Sequence, residues 1–127
     1  MDRAIIFKGK RIDNGEWIEG CLLEYVTGAY IIGRRKDENT GYSRSGNDIT
    51  IYNPCEVARE TICQYVGLVD SNAIKIFEGD EVVCRGTSYT CKWNSHRAEF
   101  AWYFGYNYIY PIGDMTKYLK VIGNIHG

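Results

Sequence analysis

Turn-forming residues recur along this 127-residue chain at intervals of about eight to twelve residues. The clearest turn signals are Asn14-Gly15, Thr27-Gly28, Gly86-Thr87 and Asn94-Ser95. Asn-Gly can supply the two positive-φ positions of a type I′ hairpin, so residues 14–15 predict a tight turn. The runs between these turns are rich in β-branched and aromatic residues, and none keeps the helical period for about three turns. The sequence therefore predicts a mainly β protein of antiparallel strands, arranged as a small barrel or sandwich.

Residues 65–83 form the expected joint between two halves, because two short apolar runs there are each followed by a turn signal. The residues that supply the turn chemistry are Gly67, Asp70, Gly79 and Asp80. Glycine reaches backbone conformations that other residues avoid, and Asp80 can accept hydrogen bonds from nearby backbone N–H groups. We expect an N-terminal β-meander over residues 1–59 and a small barrel over residues 60–127, packed as one compact unit.

Residues 34–47 are polar, with almost nothing to bury, and predict a mobile loop in the N-terminal half. This loop holds the only concentrated positive charge: Arg34, Arg35, Lys36 and Arg44. These side chains could contact phosphates, or they could be solvated neighbours of acidic residues. The chain has 15 basic and 16 acidic side chains and so lacks the basic excess usual in a general nucleic-acid binder. Only a local patch could bind phosphate, and the solvated interpretation is favoured.

Residues 100–111 form the most informative candidate surface, because seven aromatic side chains occur there. A strand sends alternate side chains to opposite faces, so they cannot all enter one small core. The candidate interaction residues are Trp102, Tyr103, Tyr106, Tyr108 and Tyr110. They could anchor a protein partner or stack on bases. Alternatively, Phe100, Trp102 and Phe104 fill the core while the tyrosines cover its rim.

No arrangement typical of catalysis or metal binding occurs in the sequence. Glu78 and Asp80 lack a nearby base or nucleophile, so we interpret them as turn residues and expect no enzyme activity. The two histidines, His96 and His126, lack further ligands at a suitable spacing, so we expect no metal and no cofactor.

The five cysteines indicate a reducing compartment, because their number is odd and no Cys-x-x-Cys pair occurs. Cys84 and Cys91 could face each other across a predicted hairpin, although core packing is the favoured interpretation for both. No apolar run is long enough for a signal peptide or a membrane span. We therefore expect a cytoplasmic protein that does not bind membranes.

Five blocks in order carry a resemblance to a known family: FKGKRI (7–12), WIEG (17–20), ETICQYVGLVD (60–70), IFEGDEVV (76–83) and VIGNI (121–125). With them the chain resembles the YopX-like family of phage and prophage proteins. The resemblance implies a bacteriophage or prophage origin, an all-β architecture with an SH3-like C-terminal barrel, and no established activity. Similar proteins usually carry glycine where this chain has Ala73, and they often continue beyond the last block.

Two functional hypotheses follow. The preferred one is a non-enzymatic protein-interaction module that binds a phage or bacterial host protein, or a second copy of itself, through the aromatic segment and an exposed strand edge. The alternative is a nucleic-acid-binding protein that combines the basic loop with aromatic stacking.

Overall fold

The computed structural model describes residues 4–35, 38–109 and 117–127 of the chain. These residues form antiparallel strands and no α-helix, so the mainly β prediction is confirmed. The chain divides into two compact units, residues 5–64 and Tyr65–Gly127, the second of which also includes Ala4. The division falls inside a strand, a few residues after residue 60, where the sequence analysis expected the C-terminal half to begin.

The N-terminal unit is built around an antiparallel meander in the order β6-β3-β2-β1, with the first residues of β7 paired to β1. Its strands are β1 (Phe7–Lys10), β2 (Trp17–Tyr25), β3 (Gly28–Gly33), β4 (Gly41–Ser45), β5 (Asp48–Tyr52) and β6 (Cys55–Val57). A 3-10 turn, Arg59–Thr61, leads from β6 into β7 (Cys63–Val69). The buried core residues are Ile18, Ala29, Ile31 and Val57.

The two ends of this meander meet at a single bridge between Arg11 and Val57. Backbone N–H groups of Ile12 and Ala58 donate to Glu56 and Lys10 carbonyls on either side of it, at 3.0 and 2.8 Å. The approach is close at Gly9, where an added Cβ would lie 3.0 Å from the Cβ of Val57. The meander therefore curls around its small core.

The prediction of a tight two-residue turn between β1 and β2 at Asn14-Gly15 is wrong in detail. Lys10 pairs with Trp17, so the connection is six residues long rather than two. Only Gly15 of the Asn-Gly pair has a positive φ, at +73°. The Asn14 side chain instead accepts a 2.9 Å hydrogen bond from the Glu16 N–H, which satisfies the wider turn.

The loop predicted over residues 34–47 is also corrected, because Gly41–Ser45 forms strand β4 and pairs with β5 along its whole length. The resulting hairpin is exposed almost throughout. Tyr42 is the one strong strand former in β4, so the pairing with the isoleucine-containing β5 explains why a strand forms there.

The C-terminal unit contains an open five-stranded antiparallel sheet in the order β12-β11-β10-β9-β13, and the end of β7 pairs with β8. Its further strands are β8 (Lys75–Phe77), β9 (Asp80–Cys84), β10 (Thr87–Asn94), β11 (Glu99–Phe104), β12 (Asn107–Ile109) and β13 (Leu119–Asn124). The buried core comprises Val66, Ile76, Val82, Cys84, Cys91, Trp102 and Leu119. None of the sheets is closed among the described residues.

Cys84 and Cys91 do not face each other across the β9–β10 hairpin. Cys84 lies opposite Thr87, whereas Cys91 lies opposite Trp102 on the next strand. The short turn between β9 and β10 sets this offset. Both side chains are buried in the core, as the packing interpretation expected.

Candidate interaction surface

Trp102 lies at the centre of the C-terminal core and is only 1% exposed, so it is a core residue and not a surface residue. It lies opposite Cys91 on β10 and opposite Ile109 on β12. Phe100, two residues earlier on the same face, packs against this core. Phe104, two residues later, is 58% exposed, so the alternative in which all three fill the core holds only in part.

The β11–β12 hairpin carries the exposed end of the aromatic segment. Phe104 pairs with Asn107, which leaves Gly105 and Tyr106 as a two-residue turn. Gly105 has φ +60°, a conformation that glycine adopts without steric cost. The turn places Tyr106 at its tip with a fully exposed side chain.

Aromatic contacts hold both faces of this hairpin in place. On one face, the rings of Tyr103 and Tyr108 lie 5.3 Å apart, and the Lys92 ammonium lies 5.9 Å from the Tyr103 ring. On the other face, Phe104 makes an edge contact with Tyr89 at 6.3 Å. Because these rings brace one another, their exposure reflects a packed surface rather than loose side chains.

This surface lies at the end of the five-stranded sheet. Within the described part of the chain, β12 is the outermost strand, and it pairs only with β11. Tyr108 is 44% exposed, and Ile109 beside it is also exposed. Tyr110, the remaining predicted interaction residue, lies outside the described residues. The surface defined by Phe104, Tyr106, Tyr108 and Ile109 is called the aromatic edge below.

Two glycines and an aspartate from the predicted turns shape the part of the C-terminal unit from β7 to β9. Gly67 has φ +92° and lies where the β7–β8 register shifts. Gly79 has φ +85°; its N–H donates to the Cys91 carbonyl at 2.7 Å, and its carbonyl accepts from the Ile125 N–H at 2.9 Å. Asp80, 1% exposed, begins β9 directly after it.

Asp70 caps the β7–β8 connection through both carboxylate oxygens. Oδ1 accepts from the N–H groups of Asn72 and Ile74 at 2.8 and 2.9 Å, and Oδ2 accepts from the Val121 N–H at 2.9 Å. Burial raises the pKa of Asp70, but the three hydrogen bonds lower it by a larger amount. The pKa of Asp70 therefore lies below its ordinary value. Asp70 thus joins the connection to the closing strand β13.

The described residues of the predicted basic loop lie on two different parts of the chain. Arg34 and Arg35 are exposed directly after β3, while Arg44 is exposed in the middle of β4. The Arg44 Nε donates to the Gly46 carbonyl at 3.1 Å, within its own hairpin. Lys36 lies outside the described residues.

Two features that sequence reasoning missed are the bracing of Phe104 by Tyr89 and a stack of two lysines on Trp17. Both depend on hairpin register, which brings together residues far apart in sequence. A sequence signal for the lysine–tryptophan contact did exist. Lys8 and Lys10 alternate along one strand, and Trp17 lies on the strand that follows the next turn.

Within residues 4–35, 38–109 and 117–127, no three His, Cys, Asp or Glu side chains come together as metal ligands would. The same part of the chain contains no helix with the length and apolar character needed to cross a lipid bilayer.

Comparison with known proteins gives one family and a similar fold. The family model described as YopX protein matches residues 7–127. Among solved structures, the chain is similar to the crystal structure of protein EF1440 from Enterococcus faecalis, with a TM-score of 0.62 and 21% identity. That match covers 98% of this chain and 95% of the other. No curated protein matches.

Proposed function

Because this chain belongs to the YopX protein family, we propose that it is a phage or prophage accessory protein that binds a protein partner and performs no catalysis. The family resemblance supports the phage origin. The aromatic edge supports the binding role: at the end of a sheet, Phe104 and Ile109 are exposed on one face, Tyr108 is exposed on the other, and Tyr106 is exposed at the turn between them. Aromatic side chains are enriched among the residues that dominate binding energy at protein interfaces.

The geometry of the edge favours a protein partner. Tyrosines offer large, rigid contact area and lose little conformational entropy on binding. The backbone groups on the outer side of β12 could pair with an added strand, while the aromatic side chains set specificity. The partner in this proposal is a phage or bacterial host protein, or a second copy of the chain.

The proposal includes an SH3-like arrangement of the C-terminal unit and a location in the bacterial cytoplasm. The meander from β9 to β12 and the pairing of β13 back onto β9 support the first. The conformation at residues 117–118, a 3-10 turn directly before β13, agrees with it. The location is supported by three cysteines buried as free thiols, Cys63, Cys84 and Cys91.

Light scattering coupled to size-exclusion chromatography tests the self-binding form of this function. If copies associate through the aromatic edge, the measured mass of the wild type exceeds the 14.6 kDa of one chain. The variant Tyr106→Ala with Tyr108→Ala should then have the mass of one chain. A control carries Tyr42→Ala with Tyr52→Ala, which removes two exposed tyrosines from the β4–β5 hairpin instead. A mass above that of one chain that the aromatic-edge variant leaves unchanged would contradict self-association through this edge.

A further inference from the structure

Two lysines on strand β1 are gathered over one tryptophan on strand β2. The Lys8 Nζ lies 4.5 Å from the centre of the Trp17 ring, and the Lys10 Nζ lies 5.5 Å from it. The register pairs Lys10 with Trp17 and Lys8 with Glu19. All four side chains are half-buried and point to the same face of the N-terminal sheet.

The ammonium groups of Lys8 and Lys10 both contact the Trp17 indole, so two positive charges lie close together. Alternate residues of a strand are about 7 Å apart, so the two lysine stems begin at that spacing and converge on one ring. A cation–π contact at a half-exposed site orients an ammonium group but is weak enough for the group to leave the ring for an anion. Bringing two cations together raises the local positive potential, and an anion lowers it.

Arg34 adds a third cation beside this pair. Its backbone N–H donates to the Glu19 carbonyl at 3.2 Å, which extends the β2–β3 pairing by one residue. Across three adjacent strands the order is therefore Lys8, Glu19 and Arg34, and the Arg34 side chain is exposed. Lys8, Lys10 and Arg34 are cations and Glu19 is an anion, so these four described positions carry a net charge of +2, although the whole chain has a net charge of −1.

We propose that this face, defined by Lys8, Lys10, Trp17 and Arg34, binds single-stranded nucleic acid. The three cations neutralise backbone phosphates, and a base stacks on Trp17 as the ammonium groups move onto the phosphates. A sheet face that combines basic groups with an aromatic ring is a recurrent design for single strands, because every base has a stacking face. The half-buried Trp17 ring becomes accessible to a base when the lysines leave it. The site differs from the basic loop predicted from the sequence and does not depend on the aromatic edge.

Fluorescence anisotropy of a labelled oligothymidylate of about ten nucleotides, titrated with the full chain, tests this site at several salt concentrations. Neutralising three phosphates on a single strand gives a slope of about −2 for log K against log salt. Lys8→Gln with Lys10→Gln reduces that slope to about −0.7 and weakens binding roughly 50-fold at about 50 mM salt. Trp17→Leu weakens binding roughly tenfold through lost stacking, with the slope unchanged.

The matched control is Lys92→Gln with Lys120→Gln, which removes the same charge from exposed positions of the C-terminal unit. We expect less than a twofold change in affinity from it. Arg34→Gln gives an independent variant outside the β1–β2 hairpin, with a slope reduced by about 0.7. Circular dichroism melting of every variant separates lost binding from lost folding.

Three results would overturn the site. The first is no binding of the oligonucleotide at about 50 mM salt, where phosphate contacts are strong. The second is an equal loss of affinity in the Lys8/Lys10 variant and the Lys92/Lys120 control, which would indicate that binding depends only on the net charge of the protein. The third is equal affinity for an oligoglutamate of the same charge, which would indicate an acidic protein partner.

Discussion

The carboxylate of Asp80 accepts a 2.9 Å hydrogen bond from the side-chain amide of Asn124, which lies 44 residues later in the chain. These two residues are also direct partners at the ends of β9 and β13. The second Asp80 oxygen accepts from the Phe77 N–H at 2.8 Å, and the Asn124 Oδ1 accepts from the His126 N–H at 2.9 Å. Two of the sequence blocks that carry the family resemblance thus meet in one buried polar network, whose role is architectural.

Asp80→Ala should destabilise the protein by about 3 kcal/mol. The substitution leaves the buried Phe77 N–H without its acceptor and leaves the Asn124 amide with the longer 3.4 Å bond to the Glu78 carbonyl. A stranded buried polar group loses its full hydration. Urea unfolding followed by tryptophan fluorescence measures the change. Glu81→Ala, at the next position of β9, is the matched control. A loss for Asp80→Ala within about 0.5 kcal/mol of that control would contradict the network's importance.

Asp70 should make stability depend on pH in a way that Asp70→Asn abolishes. The folded-state pKa of Asp70 is lowered, so its stabilisation is complete above the unfolded pKa of about 3.9 and is lost as pH falls through the folded pKa. The difference in unfolding free energy between wild type and Asp70→Asn should therefore be largest near neutral pH. Urea titrations at a series of pH values measure it, and a difference that grows below about pH 4 would contradict the assignment.

Ala73→Gly should stabilise the protein by about 1 kcal/mol. Ala73 has φ +62°, a left-handed conformation in which its Cβ is strained. The relief exceeds the extra entropy that glycine gives the unfolded chain. Thermal melting measures the gain, and Ala58→Gly is the control, because Ala58 has an ordinary φ of −68°. Destabilisation by both substitutions would show that the turn at residue 73 is not strained.

The five thiols should react with a disulfide reagent in the order of their exposure. Cys21 is exposed and Cys55 is half-buried, whereas Cys63, Cys84 and Cys91 are buried. Burial raises the pKa of the Cys91 thiol, which removes the reactive thiolate. We expect one fast thiol in the native protein, absent in Cys21→Ser, and reaction of the buried three only on unfolding. A fast phase that survives in Cys21→Ser would contradict this order.

Local sequence signals predicted much of the framework. The alternation and the turn signals gave the mainly β class, and Gly67 and Gly79 adopt the positive φ that their turns require. What failed depends on pairing between distant residues. The register of β9 and β10 separates Cys84 from Cys91, and pairing with β5 makes β4 a strand despite its polar sequence.

The candidate surface was predictable only in outline, for a related reason. Composition identified residues 100–111 as too aromatic for one core, but which side chains are buried depends on which face of the five-stranded sheet packs on the core. That packing places Trp102 inside and leaves Phe104 and Tyr106 outside. The same dependence on register hid the stack of Lys8 and Lys10 on Trp17.

Affinity capture from phage-infected or prophage-induced bacterial cells tests the proposed protein-binding role most directly. The tagged wild type, Tyr106→Ala with Tyr108→Ala, and Tyr42→Ala with Tyr52→Ala are compared in parallel by quantitative mass spectrometry. Loss of two exposed anchor tyrosines should reduce retention of a bound protein at least tenfold, while the control variant retains it as the wild type does. Equal retention of a bound protein by the aromatic-edge variant would contradict the account, and so would a tagged wild type that retains neither another protein nor untagged copies of its own chain.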